Sequence, residues 1–170
     1  MSTRSAVLVA ALAAMPAFAQ GLGQPISESD VKPWDISILP DGTGLPPGSG
    51  TPEQGARVYA EKCVACHGEA GKGGVAAPLV GGPPIKAINT PKTIANFWGY
   101  STTVFDFIRR AMPFQQPRSL TDDEVYALTA YILAQNKLIG EKDVMNAQTL
   151  PKVTMPNQAN FIVVYPSRAK

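Results

Sequence analysis

The sequence YAEKCVACHGEAGKGG, residues 59–74, contains both cysteines of this 170-residue chain and its only histidine. Cys63, Cys66 and His67 form the pattern C-x-x-C-H. Two thiols and an imidazole at this spacing are typical of three kinds of site: a redox-active disulfide, a zinc site, or a covalently attached haem. The sequence around the motif decides among them.

The haem interpretation fits that surrounding sequence best. In C-x-x-C-H the two thiols add to the vinyl groups of a haem, and the adjacent imidazole binds its iron. A thioredoxin-type disulfide would require a strand–helix–strand setting that is not indicated here, and zinc would find three local ligands without a second Cys/His pair. We therefore predict one covalently bound haem c, attached through Cys63 and Cys66, with His67 as an axial iron ligand.

The sequence contains no further histidine, so the second axial position is either filled by another residue type or left open. Met112, in RRAMPFQQP, precedes the final predicted helix and is the favoured ligand on the iron face opposite His67. Met155, which repeats the Met-Pro dipeptide, and an open coordination site are the alternatives, whereas Met145 is expected to fill the core. Ligation by His and Met would raise the reduction potential and suit electron transfer.

Residues 1–19 have the features of a secretory signal peptide: a basic start, an apolar run and the small-x-small sequence Ala17-Phe18-Ala19. The alternative is an uncleaved anchor, but the apolar run is shorter than the roughly 20 residues that a membrane span requires. No later segment is apolar enough to cross a bilayer. We expect a periplasmic chain, cleaved near Ala19 and without a membrane span when mature. Haem attachment outside the cytoplasm agrees with this expectation.

Proline and glycine, 16 and 15 residues, divide the remaining chain unevenly. Residues 20–50 are predicted to form a Pro/Gly-rich N-terminal arm, and residues 138–170 a C-terminal arm. The core between them, residues 51–137, has helical patterns, and no alternating pattern is long enough to build a sheet. The predicted fold class is therefore all-α. The chain has no basic tract, which argues against a nucleic-acid partner.

Capping signals place the helices of this core. A Ser or Thr followed three residues later by Glu or Gln marks a helix start, and proline suits the first helical turn. The predicted starts are Thr51 with Gln54, Pro91 for a short helix to Trp98, Ser101 or Thr102, and Thr121 with Glu124.

The order of a helix, CVACHG, a Gly-rich loop, AMPF and a capped helix resembles class I cytochrome c over residues 51–137. The resemblance implies a fold of three to four short helices around the haem, with irregular arms outside it. It also implies a close crossing between the first and last helices. The residues implied at that crossing are Gly55 and Tyr59 in the first helix and Leu128 and Tyr131 in the last.

The same resemblance assigns further residues to the haem site. The Pro78 carbonyl would accept a hydrogen bond from the His67 ring, which orients the imidazole. Leu79 would pack on the haem. Hydrogen bonds to the methionine sulfur or the haem propionates are implied for three residues, each with plain packing as the alternative: Asn96, Trp98 and Tyr100.

A narrower resemblance is clearest in residues 100–140 and 143–157, and it includes both arms, so that it covers most of the mature chain. These stretches are similar to SoxD, the family of cytochrome subunits in the periplasmic sulfane dehydrogenase of the thiosulfate-oxidising Sox system. That resemblance implies a heterodimer with a molybdoprotein dehydrogenase subunit, which oxidises protein-bound sulfur or sulfite, and a soluble c-type cytochrome as electron acceptor. Some members carry a second haem domain, whereas this sequence has a single C-x-x-C-H, as in subunits of sulfite dehydrogenases.

Three functions therefore stay open: an electron-transfer subunit of a sulfur-compound dehydrogenase, a free periplasmic electron shuttle, and a haem enzyme with an open iron site. No catalytic residue is assigned. The apolar residues of the arms, such as Trp34 and Phe161, are expected to contact a partner subunit, with packing on the chain's own core as the alternative. Arg109 or Arg110 is hypothesised to contact a propionate or an acidic partner, with a solvated helix face as the alternative.

Overall fold

The computed structural model describes residues 23–162, so the predicted signal peptide lies outside the described residues. The chain divides into two compact units, Met1–Asp35 and Ile36–Lys170. The described part of the first unit contains one helical turn, α1 (Glu28–Val31). The Asp30 carboxylate begins this turn by accepting a hydrogen bond from the Ser27 N–H at 2.9 Å.

The described part of the second unit is mostly helical, which confirms the predicted fold class. A two-residue antiparallel ladder, short enough to have escaped the sequence pattern, joins the segments on either side of the helical core. In chain order the elements are β1 (Ser49–Gly50), α2 (Pro52–Lys62), α3 (Val64–His67), α4 (Ile94–Phe97), α5 (Ser101–Ala111), α6 (Asp122–Gln135) and β2 (Met145–Asn146).

The two predicted capping boxes are present. The Thr51 hydroxyl accepts a hydrogen bond from the Gln54 N–H at the start of α2. At the start of α6 the Thr121 hydroxyl accepts a hydrogen bond from the Glu124 N–H, and the Glu124 carboxylate accepts one from the Thr121 N–H. These bonds satisfy N–H groups that have no partner within the helix. The sequence therefore fixes both helix starts locally.

The predicted start of α5 is wrong by one or two residues, because the N-cap is Tyr100 and not Ser101 or Thr102. Both hydroxyl groups are buried and are used elsewhere. Ser101 donates to the Leu150 carbonyl at 2.6 Å, and Thr102 donates to the Pro40 carbonyl at 3.4 Å. They therefore attach distant segments to α5 instead of capping it.

The first and last helices of the core cross where the resemblance implied. A Cβ atom added to Gly55 would lie 1.9 Å from the Ala127 carbonyl oxygen and 2.7 Å from Cβ of Tyr131, so only glycine allows this approach. The Tyr59 and Tyr131 rings pack with centroids 4.9 Å apart. Leu128 is buried, and it lines a cavity beside the crossing. The crossing thus places the end of α2 next to that cavity.

The segments flanking the helices pack on the core of their own chain. Leu150 and Met155 are almost fully buried, as is Met145, which pairs with Gly50 in the ladder. A Cβ at Gly50 would lie 2.2 Å from the Ala127 backbone nitrogen. These contacts show that this part of the predicted C-terminal arm packs on the core of its own chain. Trp34 and Phe161, which are expected to contact a partner, keep exposed side chains.

None of the helices within residues 23–162 combines the length and the apolar character needed to span a membrane.

Candidate haem site

A cavity of about 520 Å³ lies among α2, α3, α5 and α6, and its walls are mostly apolar. Cys63, Cys66 and His67 line it, and so does Met112. Most other wall residues are aliphatic or aromatic, including Leu79, Trp98, Val104, Phe107, Ile108, Leu128 and Ile132. The fold therefore brings the predicted attachment motif and the favoured methionine to one apolar cavity.

The cysteine–histidine motif lies on a short helical turn. The Cys63 N–H donates to the Tyr59 carbonyl at 2.9 Å, and the Cys63 carbonyl accepts from the His67 N–H at 3.0 Å, so α3 continues directly from α2. Tyr59 also donates its hydroxyl to the Gly68 carbonyl at 2.8 Å. The turn is thereby held at both ends.

The Gly-rich loop folds back over this turn. The Ala76 N–H donates to the Cys66 carbonyl at 2.8 Å. A Cβ at Gly74 would lie 2.1 Å from the same oxygen, and Gly68 has a φ of 75°, a conformation that glycine adopts readily. The glycines are thus required by the close return of the chain, which delivers residues 75–79 to the cavity wall.

The ring of His67 is oriented by a backbone carbonyl. Nδ1 lies 3.1 Å from the Ala77 oxygen. Because a carbonyl can only accept, Nδ1 carries the proton and Nε2 is the nitrogen available to a metal. The prediction gave this role to Pro78 and is wrong by one residue. The Leu79 N–H is bonded to the Gly71 carbonyl at 2.9 Å, and this fixes the register in which the loop passes the ring.

The cysteine side of the cavity is partly shielded from water, with both thiols half-buried. Burial raises the pKa of the Cys63 thiol to about 11. Burial, together with the neighbouring Cys63 and Tyr131, raises the pKa of Tyr59 to about 12. No disulfide joins Cys63 to Cys66. The wall next to Cys63 and Tyr59 therefore disfavours charge, as suits an apolar cofactor.

The three methionines of the described residues differ in position. Met112 is the C-cap of α5, where its N–H donates to the Ile108 carbonyl at 3.1 Å, and it lines the cavity. Met145 and Met155 belong to the buried core and are not among the cavity residues. The structure thus brings Met112 to the cysteine–histidine motif and leaves the other two methionines away from it.

The remaining predicted haem contacts separate into two groups. Leu79 and Trp98 line the cavity, and Trp98 packs edge-on against Phe107 with ring centroids 5.3 Å apart. Asn96 and Tyr100 do not line it. Tyr100 instead begins α5.

The hydrogen bonds of Asn96 contradict its predicted contact with the haem. Its carbonyl oxygen accepts from the Thr93 N–H at 2.7 Å, and its amide donates to the Pro83 and Pro91 carbonyls, each at 2.8 Å. These bonds use both amide hydrogens, so the side chain holds its own loop together. Local sequence could not reveal this role, since the Pro83 partner lies 13 residues away.

The two arginines predicted at the haem edge are engaged within the chain. Arg109 pairs with Asp122 at 3.1 Å, and Arg110 pairs with Asp106 at 2.7 Å. Arg110 also donates to the Ile36 carbonyl at 2.8 Å. Neither arginine lines the cavity, so the predicted propionate contact is not supported.

The cations that line the cavity are two lysines that were not predicted from the sequence. Lys62 lies there and forms an ion pair with Glu124. Lys92 donates to the Ile88 carbonyl at 2.8 Å and lies over the Phe97 ring, 5.7 Å from its centroid. The position of Lys62 directly before Cys63 was a usable signal. Nothing in the local sequence marks Lys92.

The side chains of this cavity fit a haem. Two thiols and one imidazole with a free Nε2 meet in an apolar space that also holds a thioether. Haem needs these donors, and its macrocycle needs apolar walls. The cavity volume lies within the range of small-molecule and cofactor sites.

Comparisons with known proteins agree with this site. Residues 50–132 match the family described as cytochrome c oxidase, cbb3-type, subunit III. The chain is also similar to the structure of the sulfane dehydrogenase SoxCD from Paracoccus pantotrophus, with 34% sequence identity and a TM-score of 0.76. That match covers 88% of this chain and 73% of the other.

Proposed function

Because the chain belongs to the SoxD-like cytochromes, which have the class I cytochrome c fold, we propose that it is the periplasmic electron-transfer subunit of a sulfur-compound dehydrogenase. In this proposal it carries one covalently attached haem c. Its partner is a molybdenum-cofactor dehydrogenase subunit that acts on sulfane sulfur or sulfite, and a soluble c-type cytochrome accepts its electrons.

The residues of the cavity would divide the binding of the haem among them. Cys63 and Cys66 would form the thioethers, and His67 would bind the iron through Nε2, with its ring held by the Ala77 carbonyl. Met112 would supply a second ligand to the iron. When bound, the haem supplies a one-electron Fe(III)/Fe(II) couple. The apolar walls would exclude water, and ligation by both His67 and Met112 would leave the iron closed to substrates.

The single observation that carries the proposal is the meeting of Cys63, Cys66, His67 and Met112 in one apolar cavity. An electron carrier needs a bound redox centre, and no catalytic residue of the chain itself is required for that role. The partner and the substrate class are proposed from the similarity to the sulfane dehydrogenase SoxCD.

The test is purification of the tagged chain from its native periplasm, followed by analysis for iron and molybdenum. The proposal predicts a stable complex that contains both metals and oxidises sulfite or protein-bound sulfane sulfur. As a control, the same preparation is washed at high salt, which weakens exposed charge contacts but not a large apolar interface. A monomer that contains iron without molybdenum in both preparations would contradict the proposal.

One observation favours a second candidate, a free periplasmic electron shuttle. Leu150 and Met155 are buried within their own chain, so these apolar residues do not require a partner subunit. The shuttle predicts the monomeric outcome of the same experiment.

A further inference from the structure

The C-terminal segment, residues 157–162, contacts the backbone that carries Trp98. The Asn157 amide donates to the Phe97 carbonyl at 2.6 Å, and Asn157 in turn accepts from the Asn160 amide at 2.9 Å. The Phe161 N–H donates to the Gln158 carbonyl at 3.1 Å, so the segment is a closed turn rather than an extended tail. The first anchor is therefore a hydrogen bond just before Trp98.

The second anchor is the ring of Phe161, which lies against Gly99. A Cβ at Gly99 would be 2.7 Å from that ring. The ring also meets Phe97 and Tyr100 at an angle, with centroids 6.5 Å and 6.1 Å apart. Phe161 thus contacts residues on both sides of Trp98, and the absence of a side chain at position 99 allows this contact.

Trp98 itself has little other support from the backbone. It is the C-cap of α4, a helix of four residues, and its N–H bond to the Ile94 carbonyl is long at 3.4 Å. Its side chain lines the haem cavity and packs on Phe107. Without an external anchor, such a short segment would fray readily and open the wall that Trp98 forms.

We propose that Asn157 and Phe161 are positioning residues that hold Trp98 in the wall of the haem cavity and so limit the access of water to the haem. The inference rests on the proposed function, since it takes the cavity to contain haem. Greater access of water to a haem stabilises its more highly charged ferric state. Release of the C-terminal segment should therefore lower the reduction potential.

The experiment uses the holoprotein in a Trp34→Phe background, so that Trp98 is the only tryptophan of the chain. Phe161→Ala removes the ring, and Gly99→Ala displaces it without changing the segment. The matched control is Ile162→Ala, an apolar truncation next in sequence at a side chain that is 85% exposed. Reduction potential, Trp98 emission and the axial-ligand spectrum are measured for each protein.

We expect both Phe161→Ala and Gly99→Ala to lower the ratio of ferrous to ferric protein at least about threefold when the solution potential is held fixed. Since a tenfold change corresponds to 59 mV for one electron, this is a fall of ~28 mV in the reduction potential. Trp98 emission should rise as the indole moves away from the quenching haem, and Ile162→Ala should match the parent. Asn157→Ala should shift both readouts in the same direction. If Phe161→Ala does not accumulate, Phe161→Leu replaces it, with the same direction expected.

The inference would be overturned if haem-loaded Phe161→Ala, or Phe161→Leu in its place, had the same reduction potential and Trp98 emission as the parent protein. An equal shift in Ile162→Ala would also overturn it, because the effect would then belong to any change in the segment. Neither result would contradict the proposed function. A parent protein that takes up no haem would instead contradict the proposed function, before any variant is compared.

Discussion

Replacing Gly55 by alanine tests the helix crossing that supports the haem site. The added Cβ would lie 1.9 Å from the Ala127 carbonyl oxygen, whereas ordinary contact begins near 3.4 Å, so α2 and α6 would have to separate by about 1.5 Å. Overpacking of a core costs about 1–3 kcal/mol and occasionally more. A backbone oxygen cannot rotate away, so we take a gross cost of about 3–4 kcal/mol. Alanine has a better helix propensity than glycine, and this offsets about 1 kcal/mol of that cost.

The net expectation for Gly55→Ala is a loss of about 2–3 kcal/mol in the free energy of unfolding. For a chain of this size the loss corresponds to a fall in Tm of roughly 5–10 °C. The assay is thermal and denaturant unfolding of holoproteins with equal haem content. The control is Ala60→Gly, at an exposed position of the same helix, where propensity alone should cost about 1 kcal/mol. Helix propensity by itself predicts that Gly55→Ala is stabilising, and that result would refute the crossing geometry.

Three further predictions concern the cavity and its supports. Met112→Ala should abolish the near-infrared methionine-to-iron band of the oxidised protein and lower its potential, while Met155→Leu keeps both; a retained band in Met112→Ala would exclude Met112 as ligand. Tyr59→Phe should lower the free energy of unfolding by about 1 kcal/mol through loss of one hydrogen bond, and unchanged denaturant midpoints would contradict this. At Glu124 burial raises the pKa, but hydrogen bonds from Lys62 and its helix cap outweigh this effect and leave the pKa below its usual 4.5. Glu124 therefore stabilises the fold at pH values above its usual pKa, where the carboxylate is charged. The stability difference between parent and Glu124→Gln should be constant near neutrality and should vanish as the pH falls through the lowered pKa.

The features that were predicted correctly from the sequence are formed by residues that lie close together in the chain. The capping boxes at Thr51 and Thr121 are formed within four residues, so their patterns could be recognised without the fold. The C-x-x-C-H motif is equally local. The residues that the prediction misplaced depend on distant partners: Ser101 bonds a carbonyl 49 residues away, and Thr102 bonds one 62 residues away. No local pattern contains that information.

The Gly-rich loop shows the same limit at the haem site. The loop and its glycines were predicted, but the carbonyl that reaches His67 belongs to Ala77 instead of Pro78. That register is set by the bond between Leu79 and Gly71 across the folded loop. A sequence identifies the loop, whereas one backbone hydrogen bond selects the carbonyl.

The C-terminal arm was interpreted from composition, which does not reveal what covers its apolar residues. Leu150 and Met155 are covered by their own chain. Phe161, which is 43% exposed, lies against Gly99 and keeps part of its ring accessible. A surface for the proposed partner is therefore better sought among exposed side chains than throughout the arm.

Covalent binding of one haem by Cys63 and Cys66 is the proposal on which the others depend. Its most direct test is intact mass spectrometry of the mature, exported chain under denaturing conditions, with the absorption spectrum recorded on the same sample and on a Cys63→Ala/Cys66→Ala variant. Covalent attachment predicts a coloured protein whose mass exceeds that of the polypeptide by one haem, and an added mass that is lost in the variant. A colourless protein of polypeptide mass, or a haem that separates from the parent on denaturation, would contradict it.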